Sequence, residues 1–180
     1  MSKLSAQLKF RSTVGIHAVI LFLFFVTCTA STQTSESNIA NKAFLDKEGN
    51  VHIVLNNGKE IQPSKLKGQF ENSEPVIAED RKTVAWMAYF ENCCTSYNIP
   101  MTLIVFRSGK IIRQFKPGLM IANWKFEESG RKIGIYTNTV HGDFGPTYDL
   151  YETMTGKHLK HIVGPVDENS PQWVKRLGND

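Results

Sequence analysis

Three short hairpins, each closed by a Gly-Lys pair, recur along this chain, and no other feature limits its fold so strongly. Val51–Ile61, Thr102–Ile112 and Thr147–Leu159 each read as a few β-branched or aromatic residues, a corner, and a second short run. Gly58, Gly109 and Gly156 mark the corners, 51 and 47 residues apart. Tight corners need positive φ, which glycine adopts without a steric penalty, and Asn57-Gly58 is the strongest such pair of the three. A second element precedes the later two hairpins. Glu79–Met87 lines up with Glu128–Tyr136 at an offset of 49 residues, each a polar turn leading into an alternating strand. Strands are therefore expected over residues 83–90 and 132–139.

A unit of 47–51 residues that runs strand, turn, strand, loop, strand, turn, strand is the pattern of a four-stranded propeller blade. The expected fold is all-β, with two full antiparallel blade-like units at about 74–116 and 123–163 and a partial one at about 43–63. Pro75–Trp86 and Trp124–Ile135 resemble the repeat of WD40-like propellers of the TolB type, which runs roughly Pro-x-Trp-Ser-x-Asp-Gly-Lys-x-Ile-Ala-Phe. Ala78 stands where that repeat usually has Ser, and Arg81 where it has Gly. The resemblance covers residues 75–163 and implies antiparallel sheets with a binding or scaffold role. It lends no catalytic residue.

Closed propellers take about 4–8 blades, so two and a half leave flanks that something must cover. The N-terminal half-unit, the C-terminal segment and a second copy of the chain are the three options. Ser170–Leu177 favours the second of these. Ser170 is a good N-cap, Pro171 suits the first helical position, and Trp173 and Leu177 share one face at i, i+4. A short helix over 171–177 whose Trp plugs a sheet is expected.

The first 30 residues read as an export signal. Lys3, Lys9 and Arg11 precede the apolar run Val14–Val26, and Cys28-Thr29-Ala30 offers small residues for cleavage after Ala30. An uncleaved anchor and lipidation at Cys28 are the other two readings, and the membrane is met only through this leader. All three put the folded part outside the cytoplasm, in a periplasmic or extracellular setting. Residues 31–41 are polar and read as a flexible tether before a single domain over 42–180. The whole chain carries 21 Lys+Arg against 17 Asp+Glu, and without the leader's three cations the balance is 18 to 17. No basic face remains for nucleic acid.

Two loops stand out by composition, Glu91–Pro100 and Val140–Pro146. They hold equivalent places in successive units and are expected on one rim. Their candidate binding residues are Cys93, Cys94, Tyr97, His141, Asp143 and Phe144. Once the leader is removed, Cys93 and Cys94 can pair only with each other or between molecules. A bridge between sequence neighbours is strained, so a labile vicinal disulfide, inert thiols, and a metal or reactive-thiol role all stay open. Neither loop has Cys-x-x-Cys or His-x-x-x-His spacing, so no metal site is assigned. His158 and His161 read as solvent-facing, and the acidic pairs Glu79-Asp80 and Glu127-Glu128 as solvated corners. The chain has no nucleophile elbow, His-Glu-x-x-His, phosphate loop or dinucleotide fingerprint, and no cofactor is expected. The leading expectation is an exported, non-enzymatic binding or scaffold module that uses the rim loops, its partner an unknown protein or small ligand, with self-association open. The alternative is a small thiol-redox or metal-dependent protein acting through Cys93-Cys94 with His141.

Overall fold

Alternation with a period of two, carried by β-branched and aromatic residues, gives this chain strands with two usable faces. The structure is a computed structural model that describes residues 38–92, 95–139 and 145–178. Contacts divide the chain into residues 1–33 and 34–180, so every described residue belongs to the second unit. The leader and the first part of the tether lie outside the described residues. Among the described residues no helix is long and apolar enough to cross a membrane.

Three antiparallel sheets account for the strands. The first holds β1 (Ala40–Leu45), β2 (Val51–Leu55) and β3 (Glu60–Ile61). The second holds β4 (Gln69–Asn72), β5 (Val76–Ile77), β6 (Thr83–Phe90), β7 (Ile99–Arg107) and β8 (Lys110–Phe115). The third is an unbroken meander of β9 (Met120–Glu127), β10 (Lys132–Asn138), β11 (Thr147–Glu152) and β12 (His158–Val163). One helix, α1 (Gln172–Gly178), follows. β1 takes in Ala40 and Asn41, which the composition had placed in the tether.

β4 and β5 both pair with β6, so they act as one edge strand interrupted at residues 73–75. Ser73 bridges the gap: its amide donates to the Met87 carbonyl, and its hydroxyl accepts the Met87 amide at 2.9 Å. Pro75 has no amide to give, which suits an edge. With that edge strand counted once, the second sheet has the same four-strand order as the third.

The two faces of each sheet go to different neighbours. On β6 and β7, Val84, Trp86, Ile104 and Phe106 pack against Val51, Ile53 and Leu55 of the first sheet. Ala85, Leu103 and Val105 point the other way, against Ile121, Trp124, Ile133 and Ile135 of the third. On β10 and β11, Tyr136, Tyr148 and Leu150 turn to α1 and meet Trp173, Val174 and Leu177. The chain is thus a stack of first sheet, second sheet, third sheet and helix. The offset of 49 is kept in this packing. Val84 and Ile133 both face the preceding layer, as do Trp86 and Ile135, while the small Ala85 and Gly134 face the following one. A Cβ on Gly134 would lie 3.0 Å from Leu177 Cδ1, so glycine there lets the helix approach closely.

The turns before β6 and β10 touch. Ser129 Oγ donates to Glu79 Oε2 at 2.6 Å, and a Cβ on Gly130 would lie 2.7 Å from that of Ala78. Both strands therefore start at one end of the stack and finish at the other, where the loops after Phe90 and Asn138 leave. Arg81 aligns with Gly130, and both have positive φ, 53° and 94°. Arg81 keeps the backbone conformation of a glycine position, braced by its guanidinium on the Ala40 and Asn41 carbonyls.

Several local expectations change. At Asn57-Gly58 only Gly58 has positive φ, whereas Ser108 and Gly109 both do (52° and 83°), so the two-residue corner with mirror-image geometry is the second one. Ser170 does not cap α1, because its hydroxyl donates to Asp167 Oδ1 and accepts the Asp167 amide. Of the four acidic corner residues, Glu79 and Glu128 are exposed as expected, whereas Asp80 is half-buried and Glu127 buried, each with its own partners. Asp80 accepts the Lys82 and Thr83 amides, the Thr83 hydroxyl and the Arg107 guanidinium. Burial alone would raise its carboxyl, but these bonds together hold it below the usual carboxylate range. Glu127 is buried and takes a two-point contact from Arg176, tying β9 to the helix.

Candidate functional site

Cys93, Cys94, His141, Asp143 and Phe144 lie outside the described residues. Tyr97 is described and is 58% exposed. Its carbonyl accepts the Thr95 hydroxyl at 2.6 Å, which fixes the turn that presents the ring. Tyr97 shares the wall of a shallow recess of about 360 Å³ with Phe70, Glu91, Thr95 and Asn98. Phe70 is 57% exposed and comes from β4, whose start pairs with Phe90 at the far end of β6. Two large aromatic rings thus stand in solvent at the end of the stack where the loops emerge.

A second cluster lies on β11 and β12. His158 Nε2 and His161 Nδ1 are 2.6 and 2.8 Å from the same carboxylate oxygen, Oδ1 of Asp149. One candidate ligand atom from each residue falls within 4.8 Å of the others. The Asp149 side chain is 10% exposed, and the two imidazoles are 47% and 49% exposed. The centroid of the Tyr151 ring lies 4.9 Å from that of His158 and 4.9 Å from that of Phe115 of the second sheet. Burial, and then the charge on Asp149, push the Tyr151 hydroxyl above its ordinary value.

Strand parity argues against this cluster, and a bulge creates it. Residues three apart on a regular strand face opposite sides. Here Asp149 pairs with His161 and Leu150 with Lys160, but Tyr151 pairs with His158. The extra residue, Leu159, shifts the parity and turns both imidazoles to the face of Asp149 and Tyr151. His158 and His161 are therefore partners of a buried carboxylate, not merely solvent-facing side chains. Their nitrogens could hold a metal with Asp149.

The other histidine cluster has a different geometry. His52 sits between two carboxylates, with Nε2 2.9 Å from Asp46 Oδ2 and Nδ1 2.5 Å from Glu60 Oε1. Acids on opposite ring nitrogens cannot converge on one ion, so this is an ionic clasp across the first sheet. The bonds to Asp46 and then Glu60 raise His52 above 6.5. Asn50, through backbone and then side chain, holds Asp46 well below the carboxylate range. Because the folded value of His52 is the higher one, its stabilisation is complete below pH 6.5 and is lost as pH rises through the folded value. Following the His52 ring protons by NMR is expected to give a midpoint above 6.5, and His52→Gln to remove that part of the pH dependence of stability.

The chain matches no protein-family model and no curated protein sequence.

Proposed function

We propose that this chain is an exported, non-enzymatic binding module built of propeller-like units of the TolB type, and that it holds its ligand at the end of the stack where the 91–100 and 140–146 loops leave. The observation that carries the reading is the pair of exposed aromatics, Phe70 and Tyr97, on one recess at that end. Rings standing in solvent cost free energy, and aromatic anchors beside polar groups are what recognition surfaces are made of. The rest of the stack supports it. The first sheet and α1 cover the faces that missing neighbours would otherwise leave bare, so the loops are carried on a rigid base. The leader and the near-neutral remainder favour export and a ligand other than nucleic acid.

Site-specific photo-crosslinking in the native cell tests this. A photoreactive residue in place of Tyr97 is expected to give a discrete adduct that is lost in Phe70→Ala. The same probe in place of Arg131, exposed on the turn before β10 at the opposite end, is expected to give none. Equal adducts from both positions, or none from Tyr97, would count against the reading. Adducts that vanish in Cys93→Ser or Cys94→Ser would favour the thiol alternative.

A further inference from the structure

We propose that Asp149, His158 and His161 form a binding site for one divalent transition-metal ion of the zinc type. The inference does not depend on the loop-end reading. The chain itself supplies an internal comparison. The β7–β8 ladder of the second sheet carries the same bulge as the β11–β12 ladder of the third. Ile104 pairs with Gln114, and past the bulge Phe106 pairs with Ile111. In the third sheet Asp149 pairs with His161, and past the bulge Tyr151 pairs with His158. Matched strand for strand, Asp149 takes the place of Ile104, His158 that of Ile111, and His161 that of Gln114. The fold is satisfied at these positions by two isoleucines and a glutamine, since Ile104 is fully buried in the core. A buried carboxylate where the repeat tolerates an isoleucine is a cost to stability unless it does something else.

The chemistry of the three groups says what that is. Two imidazole nitrogens and one carboxylate oxygen are the donors that zinc, nickel and copper(II) favour, whereas calcium and magnesium take oxygen shells. The nitrogens that now contact Oδ1 are the ones that would bind, each after its proton moves to the other nitrogen of its ring. Ligands on a tetrahedral ion sit about 3.3 Å apart, so the rings must swing out from 2.6 and 2.8 Å by about 0.7 and 0.5 Å. Both rings are half exposed and sit on β12, the edge strand of its sheet, which leaves them room to move. Asp149 is held by burial on β11. Tyr151 and Phe115 close the apolar side, and three protein ligands leave a position for water or an incoming group.

The test is calorimetric titration of the full chain, purified without a histidine tag, with zinc chloride at neutral pH. The proposal expects one equivalent of zinc whose affinity falls more than about 100-fold in the double variant His158→Ile, His161→Gln, beyond what loss of outer partners alone costs. That variant installs two of the three residues the second sheet uses, keeps an amide donor for Asp149 at position 161, and is expected to keep the wild-type circular dichroism. Calcium and magnesium chloride are expected to give no heat, and His52→Gln to bind zinc as the wild type does. Absence of zinc binding by the wild type, an unchanged isotherm in the double variant, or equal binding of calcium would overturn the assignment.

Discussion

Trp86→Ala is expected to lower the unfolding free energy by about 3–5 kcal/mol, read as a drop in the urea midpoint. Trp86 stands at the centre of β6 and is among the largest fully enclosed side chains. Its neighbours are Ile53 and Leu55 from the first sheet and Ile104 from its own. They come from paired strands whose backbones are fixed by ladders, so the space left by an indole cannot collapse. The loss combines the transfer of the ring with the residual cavity. It is also expected to loosen the first sheet, which has three strands and one side on which to bury its apolar residues. Hydrogen exchange on β1 and β2 should then speed up more than on β11.

Trp173→Ala is the second large effect, about 3 kcal/mol or more, because it removes the main side chain that covers the outer face of the third sheet. Trp173, Val174 and Leu177 lie on Tyr148 and Leu150, with Gly134 beneath. Without the indole the helix keeps Val174, Leu177, the Glu127–Arg176 contact and the Asn123 amide on the Leu177 carbonyl, and an apolar sheet face meets water. Self-association of the variant, measured by sedimentation, is expected to accompany the loss. The indole Nε1 is buried and finds no hydrogen-bond partner among the described residues. A ring without that donor gives up less, so Trp173→Phe is expected to keep clearly more stability than Trp173→Ala.

The sheets were legible because their signals are local. Gly58, Gly109 and Gly156 mark corners, and the β6 and β10 strands announce themselves by alternation next to a polar turn. The terminal helix was legible from Trp173 and Leu177 at i, i+4. Its cap was not, since Ser170 had a competing partner in Asp167, three residues away. The burial of Glu127 depended on Arg176, 49 residues distant, which no local pattern reports. The His–Asp cluster was hidden by parity. His158-x-x-His161 on a regular strand points two ways, and only the bulge at Leu159 reconciles them. A signal did exist. Counting 47 residues onward from Ile111 and Gln114 lands on His158 and His161, and the two extra corner residues of the third hairpin bring Ile104 onto Asp149.

The second and third sheets are stacked so that β6 and β10 start at the same end, which sets the far ends of both strands side by side. Ala78 and Gly130 are the contact that says so. A nuclear Overhauser measurement on the isotopically labelled chain tests it directly. A strong cross-peak between the Ala78 methyl protons and the Gly130 α protons is the result predicted. Its absence, with Ala78 contacting residues near Asn138 instead, would place the sheets head to tail and contradict the account.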